Sequence, residues 1–336
     1  MAPILERHRA GGKVAPDCSR FARMPILIAN RPFANEMPVT TPRSTRIVLV
    51  CGLLVLALQA GRPAVARAGQ SAVAAPGGAS AAAAVPAPRV RAAAAIVYDT
   101  SNGEILWESN AQNQRSIASI TKLMTAVVFL EESPDLSEVV DVVRGDVRGA
   151  STTHLRTGNA VTKSDLLHLT LIASDNAAAR ALARTSDGGI EAFIDRMNAK
   201  AAELGLTSTQ YADPSGLDPG NVSSAYDMAR LITYVSGDPR LTEVMQKPTH
   251  AFQTGRAEVT VRSTNQLVRT GEVDVLAGKT GFIRRAGYCL ATLLRLPDGS
   301  RQVAVVVLGA RSNASRFSEA RSLFDWFSST ADSLLE

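Results

Sequence analysis

Apolar positions recur at helical spacing through Ile120–Glu131, Ser164–Ile172, Ala177–Arg184, Ile190–Leu204 and Ala225–Val235, which predicts five helices in the middle of the chain. Gly205 marks the end of the fourth. Ahead of them, the β-rich runs Ala95–Tyr98 and Glu104–Glu108 flank a turn carrying Asp99, Ser101, Asn102 and Gly103, the pattern of a hairpin. Behind them, Val273–Phe282, Ala286–Leu296 and Arg301–Ala310 read as three more strands, the last two joined by a turn at Pro297–Ser300, and a helix over Ala314–Phe327 closes the pattern. Strands at both ends with helices between predict an α+β fold. The termini meet in a largely antiparallel five-stranded sheet flanked by helices, with a helical lobe beside it. The cleft between lobe and sheet is where a site is expected.

The front of the chain follows other rules. Arg43 and Arg46 precede an uninterrupted apolar run, Ile47–Leu58, and small-residue cleavage patterns follow at Ala64-Val65-Ala66 and Ala66-Arg67-Ala68. A membrane-crossing helix needs about 20 residues and this run has twelve, so it predicts a cleavable export signal over 37–68, with Met37 as the start of translation. Residues 1–36 carry no interpretable pattern. Residues 69–92 are almost entirely Ala, Pro, Gly and Ser, a composition that cannot bury enough surface to order itself and reads as a disordered linker. Residues 93–336 then form the folded catalytic domain, and the product is expected in the periplasm, free or loosely held at the membrane.

Charge adds little. The formal +5 lies in the front: residues 1–66 hold nine Lys/Arg and three Asp/Glu, a balance of +6 that leaves −1 for the rest. A basic segment that is removed argues for no nucleic-acid partner. Of three cysteines only Cys289 follows the signal, so the exported domain has no internal disulfide.

Within the first helical run Ser119 precedes Lys122 by three residues, on one helix face. The lysine's neighbours Ile120, Leu123, Met124 and Val127 are apolar, and desolvation lowers an amine's pKa, leaving a neutral base for a hydroxyl proton. Alone, the pair equally describes a helix cap and a solvated lysine. Ser174-Asp175-Asn176 lies between two predicted helices and equally describes a polar loop with a capping residue. Lys279-Thr280-Gly281 heads a predicted strand and equally describes a turn with a surface lysine. The three triplets gain weight from their order: the second begins 55 and the third 160 residues after Ser119.

With that order the chain resembles the penicillin-recognising serine enzymes, and more closely the low-molecular-mass penicillin-binding proteins, the serine D-alanyl-D-alanine carboxypeptidases and endopeptidases. The likeness extends through Asp213–Ile232, Ser263–Leu267 and Gly278–Ala291. The stretches Leu155–Asn176 and Met197–Gly205 look most like the endopeptidase branch. The resemblance implies the β-lactamase/DD-peptidase-like fold, no cofactor, peptidoglycan stem peptides as substrate and β-lactams as acylating inhibitors. It implies Ser119 as acyl-ester nucleophile, Lys122 as proton acceptor and Ser174 as proton relay. Asn176, Lys279, Thr280 and Gly281 would bind substrate, with Lys279 also helping to keep Lys122 neutral and Gly281 admitting substrate close to the strand. The backbone N–H groups of Ser119 and Phe282 would form the oxyanion hole, and Asp175 would be structural.

Other residues are read as bland. His154, His168 and His250 show no metal-ligand spacing, so no metal is expected. Cys289 reads as core, Trp107 and Tyr98 as hairpin packing, and Arg284 and Arg285 as solvated surface. A β-lactamase is disfavoured because no E-x-x-L-N falls between Asn176 and Lys279. A non-catalytic wall-binding protein is disfavoured because every expected catalytic side chain is present. A carboxypeptidase trimming terminal D-alanine stays open beside the endopeptidase. Carboxypeptidases of this kind continue into a further β-rich domain, whereas this sequence runs only 55 residues past Gly281. Oligomeric state is unknown.

Overall fold

The computed structural model describes Pro86 and residues 88–334. The readings for 1–36 and 37–68, and most of that for 69–92, lie outside the described residues. Arg91 and Ala92 are placed, their N–H groups donating to Glu319 Oε2 at 3.1 and 2.8 Å.

Strands β1 (Ala94–Asp99) and β2 (Ile105–Ser109) are the predicted hairpin, and β3 is the short Arg115–Ser116. A 3₁₀ turn, Ala118–Thr121, leads into α1 (Lys122–Glu131). The helical lobe continues with β4 (Val139–Asp141), α2 (Arg144–Val147), β5 (Ala160–Thr162), α3 (Lys163–His168), α4 (Asn176–Arg184), α5 (Gly189–Glu203) and β6 (Val222–Ser223). Then come α6 (Ala225–Val235), α7 (Pro239–Met245), β7 (Thr249–Gln253), β8 (Glu258–Arg262) and α8 (Gln266–Thr270). The chain closes with β9 (Asp274–Ile283), β10 (Gly287–Arg295), β11 (Gln302–Ala310) and α9 (Asn313–Leu334).

The main sheet has the order β2-β1-β11-β10-β9 and is antiparallel throughout, so the first and last strands of the folded part pair directly, Ala95 opposite Val307 and Val97 opposite Val305. Its inner strands carry nearly continuous apolar runs because both faces are covered. Ile96, Ala304, Val306 and Leu308 face the core shared with the helical lobe, while Val97, Val303, Val305 and Val307 face a second core. Phe317, Leu323, Phe324 and Phe327 of α9 fill that second core, and the helical repeat puts them on one side.

Helix α1 runs through the centre of the lobe, with every residue from Lys122 to Leu130 buried. A helix apolar all round belongs inside, and it carries Lys122 inside with it.

Three differences from the sequence reading matter. The predicted helix Ser164–Ile172 is α-helical only as far as His168; Leu169–Ala173 widens into a π turn that ends at Ser174 in the left-handed conformation (φ 58°, ψ 34°). The extra residue in the turn shifts the backbone so that the chain exits toward the cleft. The closing helix runs from Asn313 to Leu334, well beyond Phe327. Three two-stranded ladders, β3–β6, β4–β5 and β7–β8, and the short helices α7 and α8 were not predicted, being too brief for periodicity to register.

Candidate active site

The 3₁₀ turn before α1 lifts Ser119 to the surface of the core. Ala118 adopts a left-handed backbone (φ 49°), unusual for a residue with a side chain, and so bends the chain into the turn. Two glycines permit the neighbouring strands and loops to hold it there. A Cβ on Gly216 would lie 2.2 Å from Ala118 O, and one on Gly281 would lie 2.7 Å from Ile117 O and 3.1 Å from Ser119 N. The space beside Gly281 is thus filled by the turn that carries Ser119. Strand side chains alternate between faces, and one at this position would point at the protein's own backbone.

The Lys122 amine, fully buried, has three partners: Ser119 Oγ at 3.0 Å, Asn176 Oδ1 at 2.6 Å and Ser215 O at 2.5 Å. Asn176 cannot be turned round without loss, because its Nδ2 donates to Ala150 O at 2.6 Å. Its Oδ1 and the Ser215 carbonyl accept only. A neutral amine has two N–H bonds and one lone pair. The two carbonyl oxygens use both N–H bonds, and the lone pair is left for the Ser119 hydroxyl. Burial is the largest influence on this amine and brings it down to about 7; Asp213 and Asp175 push the other way, and Arg180 adds to the lowering.

Ser215 was not singled out from sequence. Asp213 folds its loop, accepting from Ser215 N at 3.1 Å, Gly216 N at 2.5 Å and Asn221 Nδ2 at 2.8 Å, so that the Ser215 carbonyl faces Lys122. The signal in sequence was Asp-Pro-Ser-Gly, an Asx-turn composition whose target only the fold supplies.

A second group sits on the facing strand. Lys279 Nζ on β9 donates to Ser174 Oγ at 2.8 Å and to Thr280 O at 2.9 Å, and Thr280 Oγ1 shares a 2.6 Å hydrogen bond with Thr264 Oγ1. Lys279 is buried and held well below the ordinary amine range, by burial first, then by Lys122 and Arg316. Burial is the leading cause at both lysines, as the apolar neighbours of Lys122 led one to expect for that residue, and the effect of Lys122 is felt at Lys279. Asp175 caps α4, accepting from Ala178 N at 3.0 Å, and accepts from His154 N at 2.6 Å.

Ser119, Ser174, Asn176, Thr280, Gly281 and Phe282 all line one cleft of about 520 Å³, with Lys122 and Lys279 buried behind them. Ser119 and Phe282, whose amides were expected to form the oxyanion hole, both belong to this lining, and the exposed Phe282 ring stacks on Tyr288, centroids 4.3 Å apart. Ser119 and Ser174 hydrogen-bond to different lysines across the cleft.

Two arginines also line it. Arg284, expected as solvated surface, is exposed at the cleft wall. Arg316 of α9, which sequence reading passed over as one more helical arginine, donates from Nη1 to Gly281 O at 3.1 Å and Cys289 O at 3.2 Å, and its Nε has no partner. Burial lowers it only to about 10, so it stays charged at neutral pH. No Asp or Glu lines the cleft among the described residues. Cys289 is buried in the core as expected, its thiol raised to about 11 by burial. His250 donates to Asp165 and stacks on His168, away from this cleft. None of the described helices is long and apolar enough to cross a membrane.

Such a constellation can transfer an acyl group to a serine without a metal ligand set. Comparison with known proteins agrees. Residues 81–312 match the family described as D-alanyl-D-alanine carboxypeptidase, Peptidase S11. A D-alanyl-D-alanine endopeptidase of Pseudomonas aeruginosa is 36% identical over 237 residues, 69% of this chain and 76% of its own. A D-alanyl-D-alanine carboxypeptidase of Escherichia coli is 33% identical over 255 residues, 72% of this chain and 62% of its own. Penicillin-binding protein D2 of Listeria monocytogenes, solved in its ampicillin-bound form, superposes with a TM-score of 0.64 at 31% identity, covering 72% of this chain and 99% of that one. The chain belongs to the S11 family of serine D-alanyl-D-alanine peptidases, the low-molecular-mass penicillin-binding proteins.

Proposed function

We propose that this chain is a periplasmic D,D-endopeptidase that cleaves cross-links between peptidoglycan stem peptides through an acyl-enzyme on Ser119, and that penicillins acylate the same oxygen. The observation that carries the reading is the buried Lys122 amine lying 3.0 Å from Ser119 Oγ while two acceptor oxygens, Asn176 Oδ1 and Ser215 O, take up its N–H bonds.

The steps follow from the contacts. Lys122 takes the Ser119 proton as Oγ bonds to the carbonyl carbon of a D-alanyl residue. The carbonyl oxygen gains charge, and the amides of Ser119 and Phe282 stabilise it, supplied by a backbone that needs no reorganisation. As the C–N bond breaks, the proton that Lys122 took from Ser119 passes to the leaving amine by way of Ser174, which Lys279 holds at 2.8 Å, and Lys122 is neutral again. Water then attacks the ester with Lys122 again as base, releasing the D-alanyl carboxylate. Thr280, Lys279 and Arg316 offer hydrogen bonds and positive charge to a carboxylate in the cleft; its arrival would favour the charged form of Lys279. Asn176 orients the Lys122 amine and presents its amide to the substrate backbone.

The preference for cross-links is supported by the relatives: the D-alanyl-D-alanine endopeptidase of Pseudomonas aeruginosa is 36% identical to this chain, against 33% for the Escherichia coli carboxypeptidase. The export signal over 37–68 supports the periplasm. A fluorescent penicillin should label wild type and not Ser119→Ala; no label on wild type, or label on the variant, overturns the serine mechanism. Digestion of purified sacculi followed by mass spectrometry separates the branches. Loss of cross-linked dimers is expected, and conversion of pentapeptides to tetrapeptides alone would make the enzyme a carboxypeptidase.

A further inference from the structure

Beside the cleft lies a second hollow of about 480 Å³, walled on one side by His154, Arg156 and Asn159 and on the other by the turn between β7 and β8, with Thr254 and Arg256. It is within the usual size of a ligand site. Neither the Arg156 nor the Arg256 guanidinium has an ion-pair or hydrogen-bond partner among the described residues, both are exposed, and no Asp or Glu lines the hollow.

Both walls lead into the catalytic cleft. In the loop before β5, Ser151 and Thr152 line the cleft and His154, Arg156 and Asn159 line the hollow. On the other wall, β8 leaves the hollow at Val259 and delivers Thr264 to the cleft, hydrogen-bonded to Thr280. Arg156 follows Thr152 by four positions, which bounds the separation of their Cα atoms at about 14 Å, the length of a short extended peptide.

The walls are fixed to the catalytic machinery. Asn176 N donates to Thr152 O at 3.0 Å, Asn176 Nδ2 to Ala150 O at 2.6 Å and His154 N to Asp175 Oδ2 at 2.6 Å. Arg156 N donates to Asn159 Oδ1 at 2.7 Å, and Ala160 N to Thr254 O at 3.3 Å, tying the loop to the hairpin. Two unpaired guanidiniums on an ordered frame, whose segments run on into a cleft that also lacks carboxylates, suit an acidic peptide.

The geometry points to this hollow as the subsite for the second strand of a cross-linked substrate, with Arg156 and Arg256 receiving that strand's free carboxylates. The inference rests on the proposed endopeptidase activity for its substrate, since only a cross-link brings a second acidic strand to the cleft. It adds residues that separate a dimer from a single stem peptide.

The test uses a purified cross-linked stem-peptide dimer, with its carboxylates free or amidated. Binding is measured by calorimetry on Ser119→Ala, and again with Arg156→Ala and Arg256→Ala added. The free-carboxylate dimer should bind the triple variant about tenfold more weakly, and the difference should shrink as salt is raised, since exposed charges are screened. The amidated dimer should bind both proteins with the weaker affinity. In Ser119 enzymes the paired arginine substitutions should lower kcat/KM for the dimer about tenfold more than they lower the rate of penicillin acylation. Equal binding by both variants, equal binding of the amidated dimer, or no binding of the dimer at all overturns the inference. The catalytic reading fails separately: a wild type that penicillin does not acylate refutes the Ser119 mechanism, while the calorimetry still decides the subsite.

Discussion

If the neutral Lys122 amine is the base, the rate at which penicillin acylates Ser119 must follow its titration. Burial lowers this amine from the ordinary lysine value to about 7, a difference on the order of 5 kcal/mol in the cost of carrying the proton inside. The base form is about a tenth of the enzyme at pH 6 and about nine tenths at pH 8, so the acylation rate constant should rise about tenfold across that interval and then level off. An unperturbed lysine would instead give a rise of about a hundredfold over the same two units and would still be climbing at pH 9. Stopped-flow measurement with a fluorescent penicillin under single-turnover conditions, from pH 5.5 to 10, separates the two. Lys122→Arg supplies the control: a guanidinium stays charged, so the inflection should vanish and the rate should fall by roughly 10²- to 10⁴-fold. A rate that keeps rising through pH 9, or a Lys122→Arg profile with the wild-type inflection, would refute the assignment. The sign of the linked stability is also fixed. Between about 7 and the ordinary lysine value the unfolded chain holds a proton on this amine that the folded chain lacks, so this group makes stability increase with pH across that window. Urea unfolding of Lys122→Met should lose that contribution, up to about 1.4 kcal/mol per pH unit.

Asn176→Asp places a carboxylate against the amine and should move the acylation midpoint to higher pH, a shift that a purely structural role for Asn176 would not produce. Gly281→Ala drives a methyl group to 2.7 Å from Ile117 O; β9 must part from the Ser119 turn, and both thermal stability and penicillin labelling should fall, whereas an unchanged labelling rate would show that the turn does not depend on that contact. Arg316→Ala, which removes a charged group from the cleft wall, should raise KM for carboxylate-terminated peptides more than it lowers kcat, and steady-state kinetics on a peptide and its amide distinguish this from lost packing. Cys289, buried with its thiol near 11, should resist iodoacetamide in the folded protein and react after denaturation; rapid native alkylation would contradict its place in the core.

Hydrophobic patterning was enough to find the sheet and the long helices, because both faces of β1, β10 and β11 are buried and an unbroken apolar run of strand length has few other places to go. It was enough also to mark Lys122 as odd, since a cation among Ile120, Leu123 and Met124 must be desolvated wherever that helix packs. Order along the chain then joined three weak triplets into one hypothesis. Only the tertiary structure decided how they meet. The partners that use up the N–H bonds of Lys122 come from residues 54 and 93 positions away, and one of them, the Ser215 carbonyl, has no side-chain signature at all. The π turn that aims Ser174 exceeds the helical pattern by a single residue, too little for a period to reveal. Gly281 was legible as a glycine needed for close approach, but what it approaches, the backbone of the Ser119 turn, depends on which face of β9 meets that turn. Arg316 was invisible for the same reason. A sequence fixes which side chains share a helix face or a strand face locally, whereas a site assembled from α1, α4, β9 and α9 depends on long-range packing that no local period encodes.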